Sequence, residues 1–212
     1  MNNQVSGCLR KLAALSICVL LAVLSACQGQ PGDKARKNQG ASSVVQLVGA
    51  NAAIADSPLQ LAVRAGDLKS VESILALGTD INGRCLVGRT ALHKAAFYNQ
   101  TRIAEFLIDN GADINAKEMH GYTPLHAAVV AGNQEIVALL VSKSADINAV
   151  SASGLAPLHL AASIGAYQIA NVLIQNGADP SREDNHARTP LFFANKNEHK
   201  QIAELLKQKG GV

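Results

Sequence analysis

Apolar residues in the second half of the chain recur in short blocks with helical spacing, and polar turns separate the blocks. Ile136, Leu139 and Leu140 lie three and four residues apart, so they share one face of a helix predicted over 134–142. The same face recurs at Ile103, Phe106 and Leu107, at Ile169, Val172 and Leu173, and at Ile202, Leu205 and Leu206. Another short helix is predicted over 124–130, and a turn at Gly132 leads from it into the helix over 134–142. The pattern therefore predicts pairs of short helices that repeat along the chain.

Sequence motifs repeat in the same register, at intervals of 33 residues. A four-residue motif recurs as Ser57-Pro58-Leu59-Gln60, Thr90-Ala91-Leu92-His93, Thr123-Pro124-Leu125-His126, Ala156-Pro157-Leu158-His159 and Thr189-Pro190-Leu191-Phe192. A second series is Gly78-Thr79-Asp80, Gly111-Ala112-Asp113, Ser144-Ala145-Asp146 and Gly177-Ala178-Asp179, and a third is Gly88, Gly121 and Gly154. The Thr hydroxyls are predicted to cap helix starts, and Gly111 and Gly177 to end helices in the left-handed conformation. Because each unit's apolar face is too small to be stable alone, we expect the units to stack.

The 33-residue unit, with Thr-Pro-Leu-His, Ala-Ala and Gly-Ala-Asp-Ile-Asn, resembles the ankyrin repeat. The resemblance implies an all-α solenoid of about five helix-turn-helix units with extended turn tips. It covers the units 57–89, 90–122, 123–155, 156–188 and 189–212. Gln60 and Phe192 replace the motif's His in the end units, and the last helix is polar, as terminal repeats require.

The first 27 residues have the features of an export signal. Two basic residues precede thirteen apolar or small residues from 12 to 24, which as a helix extend about 20 Å and are too short for a bilayer core. The run ends in Leu24-Ser25-Ala26-Cys27, which resembles the lipobox of bacterial lipoproteins. The resemblance implies a cleaved signal peptide over 1–26 and lipidation of Cys27. Gln28 in place of Asp implies sorting to the outer membrane of a Gram-negative bacterium, facing the periplasm. The alternative is a plain secretory signal with a chance Cys.

Residues 27–56 are predicted to be the lipidated Cys followed by a flexible tether. Gly, Ser, Gln and Pro dominate from 28 to 43, a composition that cannot bury enough surface to fold. The chain is apolar again from 44 to 55, which predicts a short helix covering the first repeat unit.

Composition and charge narrow the range of partners. The 212 residues carry 19 Lys and Arg against 16 Asp and Glu, a formal charge of +3, and loss of two basic residues with the signal leaves +1. That charge and an aromatic content of 3% argue against nucleic-acid binding. Of the four cysteines, Cys8 and Cys18 leave with the signal and Cys27 is acylated, so Cys85 is a lone thiol without an internal disulfide. Cys85 is either partly buried in a turn or accessible to a partner or oxidant.

Three His residues invite a metal or catalytic interpretation, but their spacing favours a structural one. His93, His126 and His159 occupy one position of the repeat, and the resemblance implies that this His hydrogen-bonds the backbone of the neighbouring turn. Stacked units lie about 10 Å apart, so the three rings do not share a metal with ligand distances of about 2 Å. The chain lacks the common nucleophile-elbow, zinc-helix and phosphate-loop motifs. We therefore expect no metal, no cofactor and no enzymatic activity.

The resemblance implies that a partner protein binds the turn tips and the concave face of the first helices. The candidate partner-binding residues are Arg84, Leu86, Val87, Arg89, Phe97, Tyr98, Met119, His120, Tyr122, Leu155, Ile164, His186 and Arg188. Exposed apolar, aromatic and Arg side chains of this kind are typical of interfaces. The alternative is that Phe97 and Met119 fill the core between units.

These features predict a monomeric, lipid-anchored periplasmic protein that sequesters or positions another protein. The most specific hypothesis is an inhibitor or immunity-type lipoprotein that neutralises a toxic envelope-acting enzyme such as a phospholipase. The alternative is a housekeeping adaptor that supports a periplasmic or envelope enzyme, for example in oxidative defence. An enzyme with an unrecognised site is the most remote hypothesis.

Overall fold

The computed structural model describes residues 56–211, and ten α-helices in five consecutive pairs fill this range. The pairs are α1 Pro58–Ala65 and α2 Leu68–Ala76, α3 Ala91–Phe97 and α4 Thr101–Asp109, α5 Pro124–Ala131 and α6 Gln134–Ser142, α7 Pro157–Ile164 and α8 Tyr167–Gln175, and α9 Pro190–Lys196 and α10 Lys200–Gln208. The predicted all-α repeat architecture is confirmed. The predicted signal peptide, the lipidation site at Cys27 and the predicted tether with its helix from residue 44 lie outside the described residues.

The first helix of each pair begins at the predicted motif. Proline is the first helical residue of α1, α5, α7 and α9, where its missing N–H costs no helical hydrogen bond. The hydroxyl of Thr189 accepts the backbone N–H three residues ahead at 3.4 Å, and that of Ser57 does so at 3.3 Å. At Thr90 and Thr123 the hydroxyl lies 2.9 Å from the Nδ1 atom of the motif His. The predicted hydroxyl cap therefore forms at Thr189, whereas at Thr90 and Thr123 the hydroxyl contacts the His ring instead.

The helices stack in two layers, because first helices pack against neighbouring first helices and second helices against neighbouring second helices. One Leu in each of the first four first helices and one Leu in each of the last four second helices is almost completely buried. These residues are Leu59, Leu92, Leu125 and Leu158, and Leu107, Leu140, Leu173 and Leu206. Their 33-residue spacing makes one hydrophobic seam that continues through all the repeats.

Between consecutive pairs the chain forms extended tips, defined here as residues 84–89, 117–122, 150–155 and 183–188. Each tip is tied to the next by a backbone hydrogen bond: Met119 N–H to Val87 O at 3.0 Å, Ala152 N–H to His120 O at 2.8 Å, and Asn185 N–H to Ser153 O at 3.1 Å. The tips therefore form one continuous edge with a fixed spacing.

The two end repeats differ from the central ones in the surface that their second helices present. Helix α2 buries only Val71 completely, whereas α4, α6 and α8 each bury three residues. Helix α10 places five Lys, Gln and Glu side chains in solvent, at positions 200, 201, 204, 207 and 208. Among residues 56–211, no helix has the length and apolar character needed to cross a bilayer.

Candidate functional site

The motif histidines bind backbone across repeat boundaries, as the resemblance implies. Nε2 of His126 lies 3.0 Å from the carbonyl oxygen of Leu155 in the next repeat. His93 and His159 make the same contact with the carbonyl 29 residues ahead, at 3.0 and 3.1 Å. Nδ1 of His126 accepts the backbone N–H of Thr123 at 3.1 Å. Each ring therefore fastens a first helix to the tip that follows it.

This geometry fixes the charge state of the rings. Because Nδ1 accepts a backbone N–H and Nε2 faces a carbonyl oxygen, the neutral ring with its proton on Nε2 satisfies both contacts. Burial lowers the pKa of His93 and of His126 from 6.5 to about 4, and burial also lowers the pKa of His159. Within residues 56–211, no group of three or more His, Cys, Asp and Glu side chains is arranged to hold a metal.

The tips have a recurrent acceptor at one position of the repeat. The carboxylate Oε1 of Glu118 accepts two tip amides, at 2.8 and 3.3 Å, and Oδ1 of Asp184 accepts two at 2.8 and 3.0 Å. The hydroxyl of Ser151 accepts the equivalent pair at 3.3 and 3.2 Å. Cys85 occupies the same position in the first tip and is half-buried. The thiol therefore replaces the strong oxygen acceptor of the other tips.

Several candidate partner-binding residues are exposed on the tips and the first helices. Leu86 and Met119 expose 60% and 65% of their surface, and Ile164 exposes 44%. His120 and His186 are also exposed. Met119 therefore does not fill the core between repeats, so the alternative interpretation does not hold for this residue.

Other candidates are only partly exposed. They are Val87, Arg89, Phe97, Tyr98, Tyr122, Leu155 and Arg188. The ring of Tyr122 packs edge-on against that of His126, with centroids 5.4 Å apart, and the Phe97 and Tyr98 rings pack in the same way at 5.3 Å. These aromatic rings have packing roles as well as an exposed edge.

Two of the candidate Arg side chains are held by intramolecular contacts. Nη1 of Arg84 donates to the carbonyl oxygens of Lys117 at 2.5 Å and Gly88 at 3.2 Å. Arg188 pairs with Asp184 through two nitrogens, at 2.6 and 2.8 Å. Burial opposes ionisation of Asp184, but hydrogen bonds from Arg188 and from tip amides hold the pKa of its carboxyl below its usual value. Arg84 and Arg188 therefore stabilise the tips.

Leu86 and Met119 are brought together by the fold on neighbouring tips. The backbone N–H of Met119 donates to the carbonyl oxygen of Val87, the residue next to Leu86. Asn133 supports the adjoining first-helix end, because its side-chain amide donates to the carbonyl oxygens of Ala96 and Phe97 at 2.8 and 3.0 Å. We refer to Leu86 and Met119, with the tip backbone that joins them, as the tip patch.

One buried ion pair was missed from the sequence. Nζ of Lys94 lies 2.7 Å from Oδ1 of Asp56, and the two side chains are only 4% and 8% exposed. Arg64 adds a longer contact to the same carboxylate, at 3.5 Å. Lys94 has no charged counterpart at its position in other repeats, so the repeat pattern carried no signal for this pair.

Comparison with known protein families supports the repeat assignment. A family model described as "Ankyrin repeats (3 copies)" matches the chain over residues 34–118, 59–151, 116–184 and 148–212. The overlapping matches extend through every pair of helices and cover well over half of the chain. No curated protein matches the chain.

Proposed function

Because the chain belongs to the ankyrin-repeat family, we propose that it is a lipid-anchored module that faces the periplasm and captures a partner protein through its tips. Ankyrin repeats are protein–protein interaction modules, and the tip patch is the observation that supports this surface. Leu86 and Met119 are exposed and adjacent, whereas large apolar side chains of the repeats are otherwise mostly packed in the seam. A pair of this kind supplies the apolar anchors that dominate binding energy in protein interfaces.

The anchor rests on the sequence at the N-terminus. The lipobox-like Leu24-Ser25-Ala26-Cys27 follows a short apolar run, and multiple acyl chains on Cys27 hold a protein stably at a membrane. Anchoring concentrates the module at one surface, so modest affinity suffices for capture. A Cys27→Ser variant is expected to move from the membrane fraction to the soluble periplasmic fraction, and unchanged membrane retention would contradict the anchor.

We propose inhibition of a toxic envelope-acting enzyme as the specific role. A membrane-tethered binding fold at the periplasmic surface meets such an enzyme, for instance a phospholipase, before it reaches its substrate. If deletion of this gene leaves killing by a candidate toxin unchanged, the inhibitory role fails for that toxin.

Capture from periplasmic extract and from candidate effectors tests the tip patch directly. The variant with Leu86→Ser and Met119→Ser is expected to lose the partner while unfolding at the same urea concentration, because both side chains are exposed. Leu77→Ser is the matched control, since Leu77 is 86% exposed and lies at the end of α2. Equal capture by the double variant and the wild type would show that the partner binds elsewhere.

A further inference from the structure

Charge is distributed unequally between the two sides of the repeat domain. One side consists of the first helices and tips, residues 56–65, 83–98, 116–131, 149–164 and 182–197, and we call it the tip side. The other consists of the second helices and their loops, residues 66–82, 99–115, 132–148, 165–181 and 198–211, and we call it the second-helix side. The tip side carries eight Lys and Arg against four Asp and Glu, and the second-helix side carries six against eleven. The tip-side segments therefore sum to +4 and the second-helix segments to −5. Four of the acids in the second-helix segments, Asp80, Asp113, Asp146 and Asp179, lie in the loops that lead into the next tip.

The few acids of the tip side are largely occupied by internal contacts. Asp56 is paired with Lys94 and Asp184 with Arg188, and both carboxylates are buried. Glu118 is buried and accepts amides of its own tip. Only Glu183 remains as an exposed acid on this side.

The cations of the tip side are more available than its acids. Five of the eight form no ion pair with any residue in 56–211: Arg84, Arg89, Lys117, Arg182 and Lys196. Arg84 donates instead to two backbone carbonyls, and the ammonium of the exposed Lys117 makes one longer bond, to the carbonyl oxygen of Val150 at 3.4 Å. Arg84, Arg89 and Lys117 flank Leu86 and Met119 within the same two tips. The tip patch is therefore an apolar pair with basic residues on both sides. On the second-helix side, by contrast, all eleven acids are exposed.

We infer that the tip patch recognises an acidic segment of the partner protein, with a large apolar side chain between Asp or Glu residues. The apolar side chain packs on Leu86 and Met119, and the flanking carboxylates face Arg89 and Lys117. The inference rests on the proposed protein-binding function and adds the chemistry of the partner. Opposite charge on the two surfaces speeds encounter and excludes partners with basic surfaces.

A selection of displayed random peptides of about twelve residues against the purified full chain tests this chemistry. Enriched peptides are expected to be acidic and to contain Leu, Phe or Trp. A fluorescein-labelled synthetic copy of an enriched peptide should bind in a salt-dependent way, and the same peptide with Gln in place of Glu and Asn in place of Asp should bind about tenfold more weakly.

Charge-reversal variants then locate the binding side. The variant with Arg89→Glu and Lys117→Glu is expected to weaken binding of the labelled peptide about tenfold, while Arg102→Glu with Lys207→Glu, on the second-helix side, leaves it within about twofold. Neutral or basic enriched peptides, an equal loss in both variants or no enrichment would overturn the inference. Uncharged peptides that still require Leu86 and Met119 would overturn it while leaving the proposed protein-binding function intact. Binding only to phosphatidylglycerol vesicles, or only to a second copy of the chain, would assign the charged side to a membrane or to self-association instead.

Discussion

The side chain of Gln60 makes in the first repeat the two hydrogen bonds that the ring of His126 makes in the third. Its Nε2 donates to the carbonyl oxygen of Arg89 at 2.7 Å, and its Oε1 accepts the backbone N–H of Ser57 at 3.2 Å. His126 uses Nε2 and Nδ1 for the same two groups. An amide and a neutral imidazole are therefore interchangeable at this position, because each presents one donor and one acceptor at similar separation.

This equivalence predicts how substitutions at His126 rank. His126→Gln should retain both bonds and cost less than about 1 kcal/mol of unfolding free energy, as one net hydrogen bond at most is weakened. His126→Leu leaves the amide of Thr123 without a partner and leaves the carbonyl of Leu155 with only its bond from the N–H of Ser151, so it should cost about 1–3 kcal/mol. Urea unfolding followed by circular dichroism measures both. Equal losses for Gln and Leu would show that ring packing, not hydrogen bonding, sets the stability.

The buried rings also predict a pH dependence with a definite direction. In the unfolded chain His93 and His126 gain a proton as the pH falls below 6.5, but in the folded chain their pKa is about 4. Protonation therefore favours unfolding between pH 6.5 and 4, and the loss for each His is roughly 3 kcal/mol at 1.36 kcal/mol per pKa unit. Well above pH 6.5 both residues are neutral in the folded and the unfolded chain, so they add no pH dependence to the free energy of unfolding.

Urea midpoints between pH 7.5 and 4.5 measure this loss. The Asp residues with lowered pKa, including Asp184, add their own loss only below their usual value of 3.8, outside this window. His126→Gln should flatten part of the slope, because the Gln amide does not titrate. A urea midpoint that stays constant from pH 7 to 4.5 would contradict the presence of neutral, buried His rings in the folded chain.

The 33-residue register allowed the helices to be predicted closely. An interaction that occurs in one repeat only could not be predicted in this way. The helix predicted over 134–142 coincides with α6, and that over 124–130 ends one residue before α5 does. Both follow from local spacing and from motifs that five copies reinforce. The ion pair of Lys94 with Asp56 depends on one repeat only, so no periodic signal marks it.

The candidate site was predictable as a region but not in the role of each side chain. Leu86 and Met119 occupy the same position of neighbouring tips, 33 residues apart, and both side chains are exposed. Arg84 and Arg188 looked equally available, yet backbone carbonyls and a neighbouring carboxylate occupy them. Contacts of a long side chain with backbone in the next repeat depend on rotamer and tip spacing, which composition does not encode.

Cys85 offers a stabilising substitution. Asp184 shows that a carboxylate at this position accepts two tip amides, and the equivalent amides in the first tip are those of Val87 and Arg89. Cys85→Asp should therefore add about 0.5–1.5 kcal/mol of stability at neutral pH. Cys85→Ala, which removes the thiol without adding an acceptor, is the control. An unfolding midpoint for the Asp variant no higher than that of the Ala variant would contradict an acceptor role.

Alanine substitutions at two glycines with left-handed backbones distinguish the energetic cost of backbone strain from the cost of a steric clash. Gly121 has a φ of +78°, and a Cβ there would lie 2.8 Å from the backbone nitrogen of Ala152 in the next tip. Gly111 has a φ of +90°, but a Cβ there meets no atom within 4 Å. Gly111→Ala should cost about 1–2 kcal/mol through φ alone, and Gly121→Ala should cost clearly more because the tips must separate. Equal unfolding midpoints for the two variants would show that the tips can separate at no further cost in stability.

The ion pair of Asp56 and Lys94 predicts an asymmetric result in a double-mutant cycle. Lys94→Met leaves a buried carboxylate with only the longer contact to Arg64, so we expect a loss of about 3 kcal/mol. Asp56→Leu leaves a buried ammonium without its partner and should cost a similar amount. The double variant should be more stable than either single variant, because an apolar pair has no charge to desolvate. Urea unfolding of the four proteins gives the coupling free energy, and losses that simply add would show that the two charges are solvated and independent.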